Sequence, residues 1–156
     1  MLEDNITSDS KHTISLYLIP SLVPPRGRTK VSGNKQWKPS ITESRDGIFL
    51  HVKVPGDIER ANKEFMYQRG LTVQPYLIIV GQSLSNVTSA YVVINNNLYN
   101  TVSVLDAVDF CFKAYHMLDA KYSYESHHIW YLIQWSLYSL YTKSDIKIPF
   151  IQDCLI

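Results

Sequence analysis

The stretch that most constrains the fold is residues 127–141, HHIWYLIQWSLYSLY. It holds five Trp or Tyr residues among Ile and Leu, and no residue that is formally charged at neutral pH. On helical spacing, Ile129 and Ile133 lie on one face while the large rings occupy much of the remainder. A helix that is apolar nearly all round is buried on more than one side. We therefore predict a buried final helix that begins after a Ser123 cap and ends near Tyr141.

This stretch is too short and too polar to span a membrane. A spanning helix needs about 20 consecutive apolar residues, and the stretch is interrupted by Gln134, Ser136 and Ser139. The N-terminal sequence MLEDNITSDSK lacks the basic start and apolar core of a signal peptide. The chain has two cysteines, which is too few for the disulfide framework of a small secreted domain. We therefore expect no membrane partner and an intracellular location, in the cytoplasm or the nucleus.

Apolar patterning predicts a small sheet in this chain of 156 residues. Residues 48–54, IFLHVKV, alternate as a strand does, and residues 76–80, YLIIV, form a continuous run that is typical of a strand buried on both faces. Residues 82–89 are polar and predict a loop. Residues 90–94 and 98–102 are then expected to form a hairpin around three asparagines, which tolerate positive φ.

Helical signals follow and interrupt these strands. Asp57 is a suitable N-cap for a helix that ends near Arg69. Ser103, with Asp106 three residues later, predicts the start of a second helix, whose apolar residues recur at the helical period and include Val104, Cys111, Tyr115 and Leu118. The final helix is the third. This order predicts an α+β fold, a small mixed β-sheet covered by two C-terminal helices, with an irregular N-terminal arm.

The expected domain organisation has three parts. Residues 1–46 are predicted to be a flexible, basic N-terminal arm, residues 47–142 the α+β domain, and residues 143–156 a C-terminal tail. Within the arm, residues 14–23 form an apolar run interrupted by proline, which favours an edge strand or an extended segment. Residues 24–38 are rich in Pro, Gly and basic side chains and predict an irregular linker.

The residue types that carry catalysis or bind metals do not occur at useful spacings. His127 and His128 are adjacent, so on a helix they project about 100° apart and cannot share a metal ion well. Cys111 and His116 are five residues apart and lie on different helical faces. Cys111 also lies in an apolar stripe, where a thiol behaves as a small hydrophobic side chain. We therefore expect a non-enzymatic protein with no metal and no cofactor.

A basic segment suggests one kind of partner. The cations between residues 24 and 38 are accompanied by a tryptophan and by no acidic residue. Such a segment neutralises phosphates and stacks a base when it binds nucleic acid. The candidate nucleic-acid-binding residues are Arg26, Arg28, Lys30, Lys35, Trp37 and Lys38.

The final helix suggests another kind of partner. Two layers of a small domain can hardly enclose rings on all sides of a helix. The N-terminal arm or a second polypeptide is expected to cover the outer face, and the third alternative is that this face is partly exposed to solvent. The aromatic residues expected to bind that partner, a different protein or a second copy of the chain, are Trp130, Tyr131, Trp135, Tyr138 and Tyr141.

Residues 73–141 resemble a known but uncharacterised module. The segments LTVQPYLIIVG, AYVVINNNLYN, LDAVDFCFKAYHMLDAKYSYES and IWYLIQWSLYSL are similar to a module found near the C-terminal ends of animal proteins described as sterile-alpha-motif-domain-containing-like. The module typically has proline where this chain has Ser123. The resemblance implies an accessory or interaction module. It implies no catalytic site and no sterile-alpha-motif domain in this chain.

Two hypotheses about function follow. The first is a non-enzymatic protein–protein interaction module that self-associates through the aromatic C-terminal helix and the apolar N-terminal arm. The alternative is a nucleic-acid-associated accessory protein that contacts phosphates through residues 24–38.

Overall fold

The computed structural model describes residues 6–69 and 74–155, and its helices and strands confirm the α+β class. A four-stranded mixed sheet and two C-terminal helices, as predicted, form its centre. In chain order the elements are α1 (Ser8–Leu22), β1 (Thr29–Ser32), β2 (Lys35–Trp37), α2 (Ile41–Asp46), β3 (Phe49–Val52), a 3₁₀ turn (Pro55–Asp57), α3 (Ile58–Arg69), β4 (Tyr76–Ser83), β5 (Asn86–Ile94), β6 (Asn97–Thr101), α4 (Val104–Met117), α5 (His127–Ser136) and α6 (Pro149–Cys154).

The central sheet has the strand order β3-β4-β5-β6. β3 is parallel to β4, and the other two pairs are antiparallel. A parallel pair requires a crossover connection, which α3 supplies. β4 lies inside the sheet and is buried from Tyr76 to Gly81, as its uninterrupted apolar sequence predicts. The β5–β6 turn contains Asn95 and Asn96 at φ of 48° and 65°, the conformation that a two-residue hairpin turn demands.

The prediction of a polar loop over residues 82–89 is wrong, because these residues extend the β4–β5 hairpin. Ser83 pairs with Asn86 at its end. The end of the hairpin is mostly polar and exposed, with Leu84 and Val87 as its apolar residues, so it shows no apolar alternation in the sequence. Gly81 lies at an irregularity in the pairing, where an added Cβ would clash with the Asn86 carbonyl oxygen and lie 2.8 Å from Val87 Cα. Only glycine fits this close backbone approach.

Helices cover both faces of the sheet. α4 packs on the face that presents Leu77 and Ile79, and α5 joins the same apolar core. The other face presents Tyr76, whose ring lies 4.6 Å from that of Phe65 on α3. The two predicted C-terminal helices therefore cover one face, and the crossover helix covers the other.

The N-terminal segment, predicted to be an irregular arm with an edge strand, instead begins with the 15-residue helix α1. Its buried positions are Ser10, Thr13, Leu16 and Pro20, which recur at helical spacing. Two of the four are polar, so apolar periodicity cannot reveal this face. Asp9 Oδ1 accepts the backbone N–H of Val104 at 2.9 Å and thereby links α1 to the start of α4. The linker predicted over residues 24–38 contains the β1–β2 hairpin.

The final helix is shorter than predicted, because α5 ends at Ser136 rather than near Tyr141. The chain then turns through Ser139, at φ of 49°, and Leu140 donates its N–H to the Gln134 carbonyl at 3.2 Å. In the predicted tail, Ile148 and Ile151 are buried against α5. The boundaries at 46/47 and 142/143 stay predictions, although residues on both flanks contribute to the core.

Candidate functional site

The structure places the five rings predicted to bind a partner in different environments. Trp130, Tyr131 and Trp135 are buried, with 0%, 8% and 4% of their surfaces exposed. Tyr138 is half-buried, and Tyr141 is 69% exposed. We expected two layers of the domain to leave the outer surface of α5 uncovered. In the structure, α6 and residues before it, including Ile148, cover that surface. The chain itself therefore covers three of the five rings, Tyr141 faces solvent, and the role of all five in binding stays a prediction.

Tyr138 holds the segment after α5 against α4. Its ring stacks on Phe112 with centroids 3.8 Å apart and an interplanar angle of 10°. Its hydroxyl donates a hydrogen bond of 2.5 Å to Asp109. Burial, and secondarily the neighbouring Asp109, raises the pKa of Tyr138. Hydrogen bonds from Lys113 and then from Tyr138 lower the pKa of Asp109, so this carboxylate is an ion that its neighbours stabilise.

Asp145 holds the next part of the chain against α5. Its Oδ2 accepts hydrogen bonds from Gln134 Nε2 at 2.9 Å, from Trp135 Nε1 at 3.0 Å and from the Thr142 N–H at 3.0 Å. Burial alone raises the pKa of Asp145, but the hydrogen bonds from Thr142, Trp135 and Gln134 together outweigh burial and lower it. The carboxylate thus provides the acceptor for the buried Trp135 indole and, together with the Leu140 carbonyl at 3.1 Å, accepts from the buried Gln134 side-chain amide.

A cavity of about 690 Å³ lies between α5, the α4–α5 connection and the segment after α5. We call it the tyrosine cavity. Its aromatic walls are formed by Tyr122, Tyr124, His127 and Tyr131. Tyr131 is the one predicted partner-binding residue on this wall. The other three were missed, although KYSYESHH in residues 121–128 is a visible concentration of aromatic rings.

The predicted nucleic-acid-binding residues do not come together on one face. In the β1–β2 hairpin Thr29 pairs with Trp37, and Lys30 pairs with Gln36. Neighbouring residues of a strand point to opposite faces, so Lys30 and the Trp37 indole lie on opposite sides of the hairpin.

Other contacts occupy two of these groups. The Trp37 ring centroid lies 5.9 Å from that of Tyr124, and the Arg26 guanidinium lies 4.9 Å from the Phe150 ring centroid. Arg28, Lys35 and Lys38 are exposed. Nucleic-acid binding by these residues stays a prediction.

Two of the groups considered for catalysis, Cys111 and His128, lie in the interior, whereas His116 is exposed and His127 is half-buried. Cys111 is fully buried, and burial raises the pKa of its thiol. His128 is buried and donates from Nε2 to the Val23 carbonyl at 3.0 Å; burial, and then the neighbouring His127, lowers its pKa to about 4. Across residues 6–69 and 74–155, His, Cys, Asp and Glu nowhere gather in a group of three able to hold a metal ion. In the same residues, no helix has both the length and the hydropathy needed to cross a membrane.

The outer edge of β6 is a further candidate surface. The strand is exposed over most of its length and carries no charged residue. Tyr99 contacts Phe110 of α4, with ring centroids 5.8 Å apart. Val102, which follows the strand, is 94% exposed, and Leu105 in the first turn of α4 is also exposed. Apolar side chains therefore flank a strand edge that pairs with no other strand among the residues that the structure describes.

Comparison with known proteins does not assign this chain to a group: no family model, no curated protein and no solved structure matches it. The resemblance of residues 73–141 to an uncharacterised animal module therefore stays a prediction.

Proposed function

We propose that the chain is a protein–protein interaction module that self-associates through the edge strand β6. The observation that carries the proposal is that β6, at the end of the described sheet, has no charge, no proline and no bulge. An edge strand presents unpaired N–H and C=O groups that can pair with another strand. Proteins that remain monomeric usually block such an edge with charges, proline, a bulge or a covering element.

The opposite edge of the sheet differs from β6. β3 has four residues, includes the exposed His51 and is followed by the exposed Lys53. A lysine beside an edge strand opposes pairing with another chain, because pairing would desolvate its charge. β6 is therefore the edge better suited to accept a strand.

A second copy of the chain is the occupant that fits this edge. β6 is uncharged, so two copies of it can pair antiparallel about a two-fold axis without repulsion between like charges. The same pairing would bring the flanking apolar side chains Tyr99, Val102 and Leu105 near the partner and remove apolar surface from water. The proposal keeps the self-association expected from the sequence and moves the interface from α5 to β6.

The test is the mass of the protein in solution, measured by sedimentation equilibrium over a range of concentrations. The wild-type chain should show a reversible monomer–dimer equilibrium. Val102→Lys should shift the equilibrium towards monomer, because it places two like charges at the proposed interface. The control is Tyr67→Lys, since Tyr67 is 91% exposed and belongs to α3 rather than to β6. This variant should behave as the wild type.

A wild-type chain that is monomeric at every concentration would contradict self-association through β6. Equal effects of the Val102 and Tyr67 substitutions would also contradict it, because the response would then reflect charge alone. Pairing with an extended segment of another protein, but not with a second copy, would keep the strand edge and overturn the proposed occupant.

A further inference from the structure

We propose that the two β6 strands of the dimer meet in a single register, in which Asn100 lies on the two-fold axis and opposes Asn100 of the second copy. This inference rests on the proposed self-association through β6 and specifies how the two strands pair. In this register Leu98 opposes Val102 of the second copy, and Val102 opposes its Leu98. The two four-stranded sheets then join into one continuous sheet.

Backbone hydrogen bonds across the sheet show which groups point towards β6. Leu77 of β4 donates its N–H to the Ile48 carbonyl at 2.9 Å, so the backbone polar groups of Leu77 point towards β3. Those of the next residue, Ile78, therefore point the other way, towards its partner Tyr91 on β5. The alternation continues along β5, so the N–H and C=O of Val92 point towards β6.

The same alternation divides the residues of β6 into two sets. Tyr99 is the partner of Val92, so its N–H and C=O are used inside the sheet. The backbone groups of Leu98 and Asn100, on either side of Tyr99, point out from the edge instead. The trans peptide before Val102 points the N–H of that residue outward as well. A second strand must therefore bond to Leu98, Asn100 and Val102.

Two antiparallel registers place outward groups opposite outward groups near the middle of the strand. One has its two-fold axis at Tyr99 and the other at Asn100. With the axis at Tyr99, Leu98 opposes Asn100 of the second copy. Val102 then opposes Asn96, which lies in the β5–β6 turn. With the axis at Asn100, Leu98 and Val102 oppose each other.

Burial of apolar surface favours the axis at Asn100. In the single chain Val102 is 94% exposed and Leu98 is 40% exposed. Alternation along the strand gives Leu98, Asn100 and Val102 the same face. When Leu98 and Val102 oppose each other, they remove apolar surface from water twice, once on each side of the axis. The other register would place a leucine opposite an asparagine and a valine opposite a polar turn.

Asn100 suits a position on the axis because its amide is self-complementary. Each side chain carries a carbonyl acceptor and an NH₂ donor, so two that oppose each other can donate and accept in both directions. Opposite residues of an antiparallel pair have Cβ atoms about 5 Å apart, which is within reach of these amides. A slip by two residues in either direction would place the amide opposite Leu98 or Val102, without a partner. The asparagine therefore fixes the register, as a single polar residue does in a coiled coil.

Dimers that mix isotope-labelled and unlabelled chains test the register in the wild-type protein. Residues of a non-hydrogen-bonded pair have Cα atoms about 4.5 Å apart, so NOEs between Hα atoms of different chains identify the residues that oppose each other. The proposed register predicts an intermolecular NOE between Tyr99 and Thr101. An axis at Tyr99 predicts an intermolecular NOE between the two Tyr99 residues instead.

Asn100→Asp and the matched control Asn97→Asp test the position of the axis by sedimentation equilibrium. Asn100→Asp places two carboxylates opposite each other and should weaken the dimer at least roughly tenfold. Asn97 lies three residues from the axis, so its two copies are about 20 Å apart along the strands. This distance exceeds the Debye length at physiological salt, so Asn97→Asp should change the dissociation constant by less than about twofold.

The possible results separate the register from self-association itself. A dimer with the NOE between the two Tyr99 residues would overturn the register and leave self-association through β6 intact. Equal weakening by the two substitutions, in variants shown by circular dichroism to be folded, would do the same. A monomer at every concentration, or a dimer without intermolecular NOEs in β6, would overturn both. Should Asn100→Asp fail to fold, the NOEs of the wild-type dimer still decide.

Discussion

Trp135 donates its indole N–H to the Asp145 carboxylate across 3.0 Å, and this bond fixes the chain after α5 against the helix it has just left. The indole and the Gln134 side chain are buried, and both donate to Asp145, ten and eleven positions later in the chain; Gln134 Nε2 also donates to the Leu140 carbonyl at 3.1 Å. The final helix therefore ends inside the fold, with the side-chain donors of Gln134 and Trp135 satisfied by the segment that follows it.

Removing the Asp145 carboxylate should destabilise the protein. In Asp145→Ala the buried N–H groups of Gln134 and Trp135 lose an acceptor, and leaving such donors unsatisfied costs about 1–3 kcal/mol each. We expect the free energy of unfolding to fall by about 2–4 kcal/mol, measured by urea denaturation followed through tryptophan fluorescence. The control is Asp153→Ala, since Asp153 is exposed on α6 and its loss should change stability by less than about 0.5 kcal/mol. Equal effects of the two substitutions would show that Asp145 has no special role.

His128 should make stability depend on pH in the mildly acidic range. Its folded pKa is lowered to about 4, whereas an unfolded histidine titrates near about 6.5. Below the unfolded value the unfolded state binds the proton and the folded state does not, so acid favours unfolding. The contribution of neutral His128 to the free energy of unfolding is fully present above about pH 6.5 and is lost as the pH falls towards about 4. The loss is at most about 1.4 kcal/mol per pH unit.

His128→Gln tests the assignment, because glutamine keeps a donor for the Val23 carbonyl but does not titrate. The free energy of unfolding, measured by urea denaturation at pH 7, 6 and 5, should change less with pH in the variant than in the wild type. Burial also lowers the pKa of His127, so part of the pH dependence of the unfolding free energy should persist in the variant. If the unfolding free energy changed equally with pH in both proteins, His128 would not be a source of the pH dependence.

Gly81→Ala should destabilise the β4–β5 hairpin. The added Cβ would clash with the Asn86 carbonyl oxygen and lie 2.8 Å from Val87 Cα, so the backbone must shift. Forced rearrangement of a packed site typically costs about 1–3 kcal/mol. Gly56→Ala is the matched control, because nothing lies within 4 Å of a Cβ there. Its unfolding midpoint should stay near that of the wild type, and a similar loss in both variants would contradict the close approach at Gly81.

Local sequence signals were sufficient for much of the fold. The run YLIIV predicted the buried strand β4, three asparagines predicted the β5–β6 turn, and Ser103 predicted the start of α4, where its side chain accepts the Asp106 N–H at 3.0 Å. Positive φ and an unsatisfied helix N-terminus involve only neighbouring residues. Burial on two faces depends on distant helices, but it requires a continuous apolar run that consecutive residues already display.

Longer-range contacts decided the rest. Helix α1 was missed because its buried face contains Ser10 and Thr13, which are accommodated by bonds such as that from the Val87 N–H to Ser10 Oγ, 77 residues away. The tyrosine cavity likewise needs Tyr122, Tyr131 and Asp145, which come together only when the chain after α5 folds back.

The sequence by itself determined the starts of β3, β4 and β6 to within one residue and the β5–β6 turn, because these depend on neighbouring side chains and backbone angles, whereas the start of β5 at Asn86 was missed. Tertiary structure alone decided which of the rings in residues 127–141 lie in the interior and which face solvent. The physical reason is that helical spacing gives the direction of a side chain, whereas its contact with water depends on which distant segment packs over it. Here the covering residues are Ile148 and Ile151, which close over Tyr131 and Trp135 and leave Tyr141 outside.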